Sequence, residues 1–127
     1  MTIGTVGNAT TIVSENNTAK AVGSGDLQVF STPMMIALME KAACDCFVDI
    51  QSENGQSSVG TQISVAHTCA SALGANISAT ATITEIDGRR VSFAVVAHEG
   101  EKEIGKGTHE RFIIDTARFM SKLQSTQ

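Results

Sequence analysis

Three side chains in this sequence have the types and surroundings to do chemistry together: Thr32, Glu40 and His67. Glu40 follows the apolar run Met34–Met39, and a carboxylate set among apolar residues is a candidate general base or nucleophile. His67 ends an alternating run in which Val59, Thr61, Ile63, Val65 and His67 share one face, so its imidazole is expected to point at an apolar layer. Thr32 offers a hydroxyl at a helix start, where free backbone N–H groups can hold an oxyanion or a phosphate. Gly60 lets a substrate approach the backbone closely. Such a set suits attack on an acyl carbonyl, with carboxylate and imidazole moving protons while N–H donors stabilise the oxyanion. Each residue also has a structural reading. Thr32 can be a helix N-cap, Glu40 the first residue of a solvated half-helix continued by Lys41 and Asp45, and His67 a hydrogen-bonded core histidine.

The element that must carry two of the three is the stretch Val29–Ile50, the one long segment without turn residues. It predicts one helix started by Thr32 and Pro33, with Thr32 as N-cap and Pro33 at the first helical position. Its apolar residues run nearly all round, which predicts burial. The uninterrupted apolar run is too short for a bilayer span of roughly 20 residues. Residues 1–15 predict a strand, and residues 16–28 a polar, Gly-rich loop able to serve as a flap over the helix start.

Asn54-Gly55-Gln56-Ser57 is a turn signal, and four strand-like runs follow it. Ser57–Thr68 is the first. In Ala75–Ile86, Ile77, Ala79, Ala81 and Ile83 share a face; this Thr- and Ala-rich run predicts an outer strand. Asp87-Gly88 is a hairpin signal. Arg89–His98 turns Val91, Phe93 and Val95 inward. After Glu99-Gly100, Lys102–Ile114 carries the inward set Ile104, Thr108, Phe112 and Ile114, and Gly105 and Gly107 suggest a bulge or a close backbone approach. His98 is expected to face solvent, and His109 to form a structural pair with Glu110. From Asp115 a short amphipathic helix is expected, with Ala117, Phe119, Met120 and Leu123. Hairpin links make the last four strands antiparallel neighbours. One apolar sheet face and one apolar helix predict an α+β fold, a five-stranded antiparallel sheet wrapped around the central helix.

Composition narrows the function classes. The chain has 127 residues, 42% of them hydrophobic, and a net charge of −4 without any basic block. That size predicts one domain, residues 1–127, and that charge argues against a nucleic-acid partner. The first residues show neither a basic n-region nor an apolar h-region, which predicts a cytoplasmic protein. Three cysteines, 44, 46 and 69, are then expected as reduced thiols. Without further Cys or His residues at ligand spacing, no metal is expected.

Three ordered motifs carry a family resemblance: VFSTPMMIALME (Val29–Glu40), SVGTQISVAHT (Ser58–Thr68) and IGKGTHERFII (Ile104–Ile114), with GRRVSF at 88–93 between the last two. Together they resemble the fluoroacetyl-CoA thioesterase-like branch of the hotdog-fold thioesterases. The resemblance implies a hotdog fold and hydrolysis of an acyl-CoA thioester. It implies Thr32, Glu40 and His67 as the catalytic group, with Gly60 and Arg111 on the substrate side. Members specific for fluoroacetyl-CoA carry aromatic residues ahead of the central helix. Here that segment is AVGSGDLQVF, with Phe30 alone aromatic, so a general short-chain or otherwise small acyl-CoA is the expected substrate. CoA enters as part of the substrate, and no other cofactor is expected.

Thr32 and Glu40 lie eight residues apart on one helix, about 12 Å along its axis. Either substrate and His67 bridge that span, or a second subunit completes the site. The second is expected, because hotdog proteins typically form homodimers with interfacial sites; dimers of dimers are also open. Two other readings remain: a non-catalytic acyl-CoA or small-ligand binding module, and a hotdog hydratase or dehydratase. The latter usually carries a closely spaced Asp and His, which is not evident here.

Overall fold

A computed structural model describes residues 1–53 and 55–125. The order is β1 (Val6–Ile12), α1 (Ala19–Val22), α2 (Thr32–Cys44), a 3₁₀ turn (Asp45–Phe47), α3 (Val48–Glu53), β2 (Gln56–His67), β3 (Asn76–Asp87), β4 (Arg90–Glu99), β5 (Lys102–Asp115) and α4 (Thr116–Ser125). The five strands form one antiparallel sheet in the order β1-β3-β4-β5-β2. The sheet covers α2, as the sequence predicts.

The helix starts at Thr32, as expected, but is interrupted once, by the 3₁₀ turn at Asp45–Phe47. Val29 and Phe30 form isolated bridges with Ala72 and Thr18 rather than helix. Ser31, not Thr32, is the N-cap: its Oγ accepts from the Met34 N–H. Pro33 sits in the first turn, as its fixed φ and missing N–H favour. Burial is one-sided. Met35, Leu38, Met39, Ala42 and Ala43 face the sheet, while Thr32, Pro33, Ala37 and Lys41 are exposed. Met35 and Met39 have no exposed surface, each burial contributing roughly 2 kcal/mol. The sheet answers with Ile77, Ala79, Ala81 and Ile83 from β3, and Val91, Phe93, Val95 and Ala97 from β4. Gly7 is what lets β1 lie against α2, since a Cβ there would collide with the Ala42 carbonyl.

Other expectations are corrected. The polar loop at 16–28 contains α1, capped by the Thr18 hydroxyl. β3 is not an outer strand, since it lies between β1 and β4. β2 does not form a hairpin with β3. The chain leaves β2 through residues 68–75, and β2 takes the far edge beside β5. Gly55, at φ +63°, fits the expected turn; Asn54 lies outside the described residues.

Among the described residues, two of the sheet's three bulges change which residues of β2 and β5 face the helix. On β2, Gly60 pairs with Arg111 and Gln62 with Glu110, so Thr61 is an extra residue. Ser58 and Gly60 therefore face inward together with Ile63, Val65 and His67, and Val59 and Thr61 do not. On β5, Ala97 pairs with Gly105 and His98 with Glu103, so Ile104 is extra. The inward set becomes Ile104, Gly105, His109, Arg111 and Ile113; Thr108 and Phe112 are exposed and Ile114 only half-buried. A bulge shifts the two-residue period by one and exchanges the faces beyond it. On α4 Met120 and Leu123 are exposed, and no residue of the helix is buried. No helix among the described residues is long and apolar enough to cross a membrane.

Candidate active site

The expected residues gather at two places along α2. At its N-terminus, Thr32 Oγ1 lies 2.9 Å from His67 Nδ1. This contact depends on the cap. Because Ser31 satisfies the Met34 N–H, the Thr32 hydroxyl is not drawn into the helix end and is free to meet the imidazole. The cap also narrows the choice of oxyanion donors. Met34 N–H goes to Ser31 Oγ, Met35 N–H to the Ser31 carbonyl, and Pro33 has none. Among the described residues, Thr32 N–H is the first-turn donor left without a partner.

The His67 ring stands edge-on to Phe30, with centroids 6.5 Å apart. Its Nε2 is shielded and has no hydrogen-bond partner among the described residues. Burial pulls the His67 pKa below the ordinary histidine value, with the Cys69 backbone acting in the opposite direction. The ring is thus neutral at pH 7 and can accept one proton. A cleft of about 230 Å³ opens here, lined by Phe30, Thr32, His67 and Cys69 among others.

Further along α2 the chemistry is ionic. Glu40 Oε2 lies 3.6 Å from Arg111 Nη1, an ion pair longer than a hydrogen bond. Glu40 is not sheathed in apolar residues, as its side chain is 39% exposed. Arg111 is buried and tightly held: Nε donates to Ser58 Oγ at 2.8 Å and Nη2 to the Ser58 carbonyl at 3.0 Å. Gly60 faces this pair. A Cβ there would come within 2.8 Å of Glu40 Oε2 and 3.4 Å of Arg111 Nη1, so the absence of a side chain keeps the carboxylate accessible.

His67 and Glu40, the imidazole and carboxylate read as moving protons together, do not meet within the chain. His67 bonds Thr32 instead, and Glu40 takes Arg111. Nor do His109 and Glu110 pair with each other. His109 bonds the Gln62 carbonyl and Arg111, while Glu110 bonds Thr61 and faces Arg90. Ser31, Ser58 and His109 are the site residues that the sequence reading missed. The cysteines are free thiols, and Cys69 borders the first cleft. Among the described residues no three His, Cys, Asp or Glu side chains converge as a metal ion would require.

The curled sheet around one helix is the hotdog architecture. A hot-dog-like protein from Thermanaerovibrio acidaminovorans superposes with a TM-score of 0.85, at 23% identity and coverage of 98% of this chain and 91% of that one. Closer likeness is specific. Residues 13–117 match the family described as fluoroacetyl-CoA-specific thioesterase, FlK. The fluoroacetyl-CoA thioesterase of Streptantibioticus cattleyicolor is 42% identical over 97 residues, 76% of this chain and 69% of that protein. A crystal structure of a phenylalanine-to-alanine variant of FlK superposes with a TM-score of 0.90, at 33% identity over 100% of this chain and 98% of that one. The same variant has been crystallised with fluoroacetate and CoA. The chain belongs to the fluoroacetyl-CoA thioesterase family of hotdog-fold enzymes and is an acyl-CoA thioester hydrolase.

Proposed function

We propose that this enzyme hydrolyses short-chain or otherwise small acyl-CoA thioesters with Thr32, Glu40 and His67, at a site completed by a second subunit. The observation that carries the reading is the 2.9 Å contact between Thr32 Oγ1 and His67 Nδ1. It joins a free hydroxyl to a neutral imidazole beside an open cleft. Glu40 acts as nucleophile on the thioester carbonyl or as base toward water. In either case the carbonyl–sulfur bond breaks, CoA leaves as a thiolate and takes up a proton, and water supplies the second oxygen of the product carboxylate. His67 relays the proton or positions the water, the Thr32 hydroxyl orients the acyl group, and Gly60 and Arg111 stand on the substrate side.

The separation along α2 supports the second subunit. The Thr32 and Glu40 groups are about two helical turns apart and make no contact within one chain. A homodimer that sets the two helices antiparallel brings Thr32 and His67 of one chain opposite Glu40 of the other. The substrate breadth rests on residues 19–28. Their only large apolar side chains are Val22 and Leu27, both exposed, and Phe30 is buried beneath His67 rather than covering the cleft.

The test is release of free CoA thiol from acetyl-, propionyl-, butyryl- and fluoroacetyl-CoA, with Glu40→Ala and His67→Ala as controls. Turnover of several of the four, lost in both variants, is expected. No turnover on any thioester would sink the proposal and favour a binding module. Confinement to fluoroacetyl-CoA would overturn the substrate breadth alone.

A further inference from the structure

The ionic group around Glu40 contains a member with no assigned role. His109 is 2% exposed, lies on the inner face of β5 and stacks on Phe93, with ring centroids 5.8 Å apart at 29°. Its Nδ1 lies 2.8 Å from the Gln62 carbonyl and its Nε2 3.3 Å from Arg111 Nη1. A carbonyl only accepts and a guanidinium only donates. Both contacts therefore demand one state of the ring: neutral, with the proton on Nδ1 and the lone pair on Nε2.

That state fixes the arginine. Nε and Nη2 of Arg111 are bound by Ser58, and the Nε2 lone pair of His109 takes a proton of Nη1. Nη1 is also the nitrogen that faces Glu40. We propose that His109 is a positioning residue for the thioesterase reaction, holding the Arg111 guanidinium where Nη1 meets the Glu40 carboxylate. The proposal rests on the reading of Glu40 as a reacting group.

The surroundings make this arrangement sensitive to acid. Arg111 is the cation facing the ring from β5, and Glu40 is the carboxylate facing it from α2. Glu110, on the opposite face of β5, is engaged by Thr61 and lies beside Arg90 from β4. β2 presents Gln62, Gly60 and the cross-strand neighbour Ile63, all uncharged. Protonation of Nε2 would set an imidazolium against the guanidinium and remove the bond to Nη1. Burial and the Arg111 charge both oppose that protonation, against the Gln62 carbonyl and the two carboxylates, and the balance keeps the His109 pKa below the ordinary value.

The experiment compares His109→Phe, which keeps an aromatic ring against Phe93, with His109→Gln, which keeps an acceptor for Arg111. Imidazole ¹⁵N shifts of the wild-type enzyme should show the proton on Nδ1 of His109; the other tautomer would overturn the proposal without any variant. In His109→Phe the separate Nη1 and Nη2 resonances of Arg111 should be lost and kcat should fall at least about tenfold with a smaller change in KM. His109→Gln should recover both. Below about pH 6.5 the wild-type rate should fall more steeply than that of His109→Gln, in which His67 alone of the two histidines is left to titrate. Unmoved Arg111 resonances in His109→Phe, or equal slopes in wild type and His109→Gln, would sink this proposal. A wild-type rate in Glu40→Ala would instead sink the mechanism on which it rests.

Discussion

The two ends of the candidate site are built on opposite plans. At the N-terminus of α2 one hydrogen bond joins Thr32 to His67, both partners are uncharged, and His67 Nε2 is shielded with no partner among the described residues. Two turns further on, Arg111 alone is engaged by Ser58, His109 and Glu40. The first end has bonding capacity to spare, whereas most of the second end's is already used. A buried imidazole nitrogen without a partner carries a cost unless something arrives to meet it. The lean end is thus suited to receive a reacting group, and the crowded end to keep a carboxylate aimed.

The comparison breaks most sharply on mixing. Thr32→Ala and Glu40→Ala should each lose about 10²–10⁴ in kcat. If the two ends act across a homodimer interface, exchanging subunits between the inactive variants should restore about a quarter of wild-type activity, because half the dimers are mixed and each carries one intact site. No recovery after verified exchange would place both ends of a working site in one chain. Next in size is Gly60→Ala. Its Cβ would press on the Glu40 carboxylate, the far end of a flexible side chain. The protein should fold normally while kcat drops roughly tenfold; an unchanged rate would mean that Glu40 tolerates being moved.

Stability should divide adjacent residues. Ser31→Ala removes the helix cap and should cost about 1 kcal/mol in denaturant unfolding. Thr32→Ala, one residue on, should change stability by less than about 0.5 kcal/mol while lowering kcat by about 10²–10⁴. Equal costs would mean that both hydroxyls serve the helix end.

The smallest effect is the pH response of the fold. His67 and His109 both have pKa values held below the ordinary 6.5 by burial. Between each lowered value and 6.5 the unfolded chain binds more protons than the folded one, so stability rises with pH across that window. Stability should be fully present above pH about 6.5 and decline as the pH falls through it, as thermal unfolding between pH 5 and 8 would record.

Much of this was legible in the sequence. The Asp87-Gly88 and Glu99-Gly100 turns gave the β3–β4–β5 meander, and Thr-Pro before an apolar run gave the helix start. The partner of β2 was not legible, because the link at 68–75 carries no signal of where it leads. Bulges hid the rest. A single extra residue at Thr61 and another at Ile104 reversed the alternation, so Arg111 and His109 were assigned to the wrong face. One clue was present. A Cβ on Gly105 would lie 2.6 Å from the Met35 sulfur. Taken as a mark of close approach to the helix, that glycine puts 105, 107, 109, 111 and 113 inward. The pairing of Thr32 with His67 required knowing that Ser31 caps the helix, and a serine followed by a threonine does not decide between them.

The position of β2 at the sheet edge has a consequence for the order of assembly. Its one strand partner, β5, comes after both β3 and β4 in the chain, and the Arg111–Ser58 bond joins residues 53 positions apart. Closing so long a loop is slow compared with zipping the adjacent hairpins, and its entropy is recovered only when β5 is ready to receive it. The meander should therefore form first, with β2 docking afterwards. Until it docks, His67 has no fixed place beside Thr32 and Arg111 lacks Ser58. A chain still emerging from the ribosome would carry nearly all of its core residues and neither half of its active site.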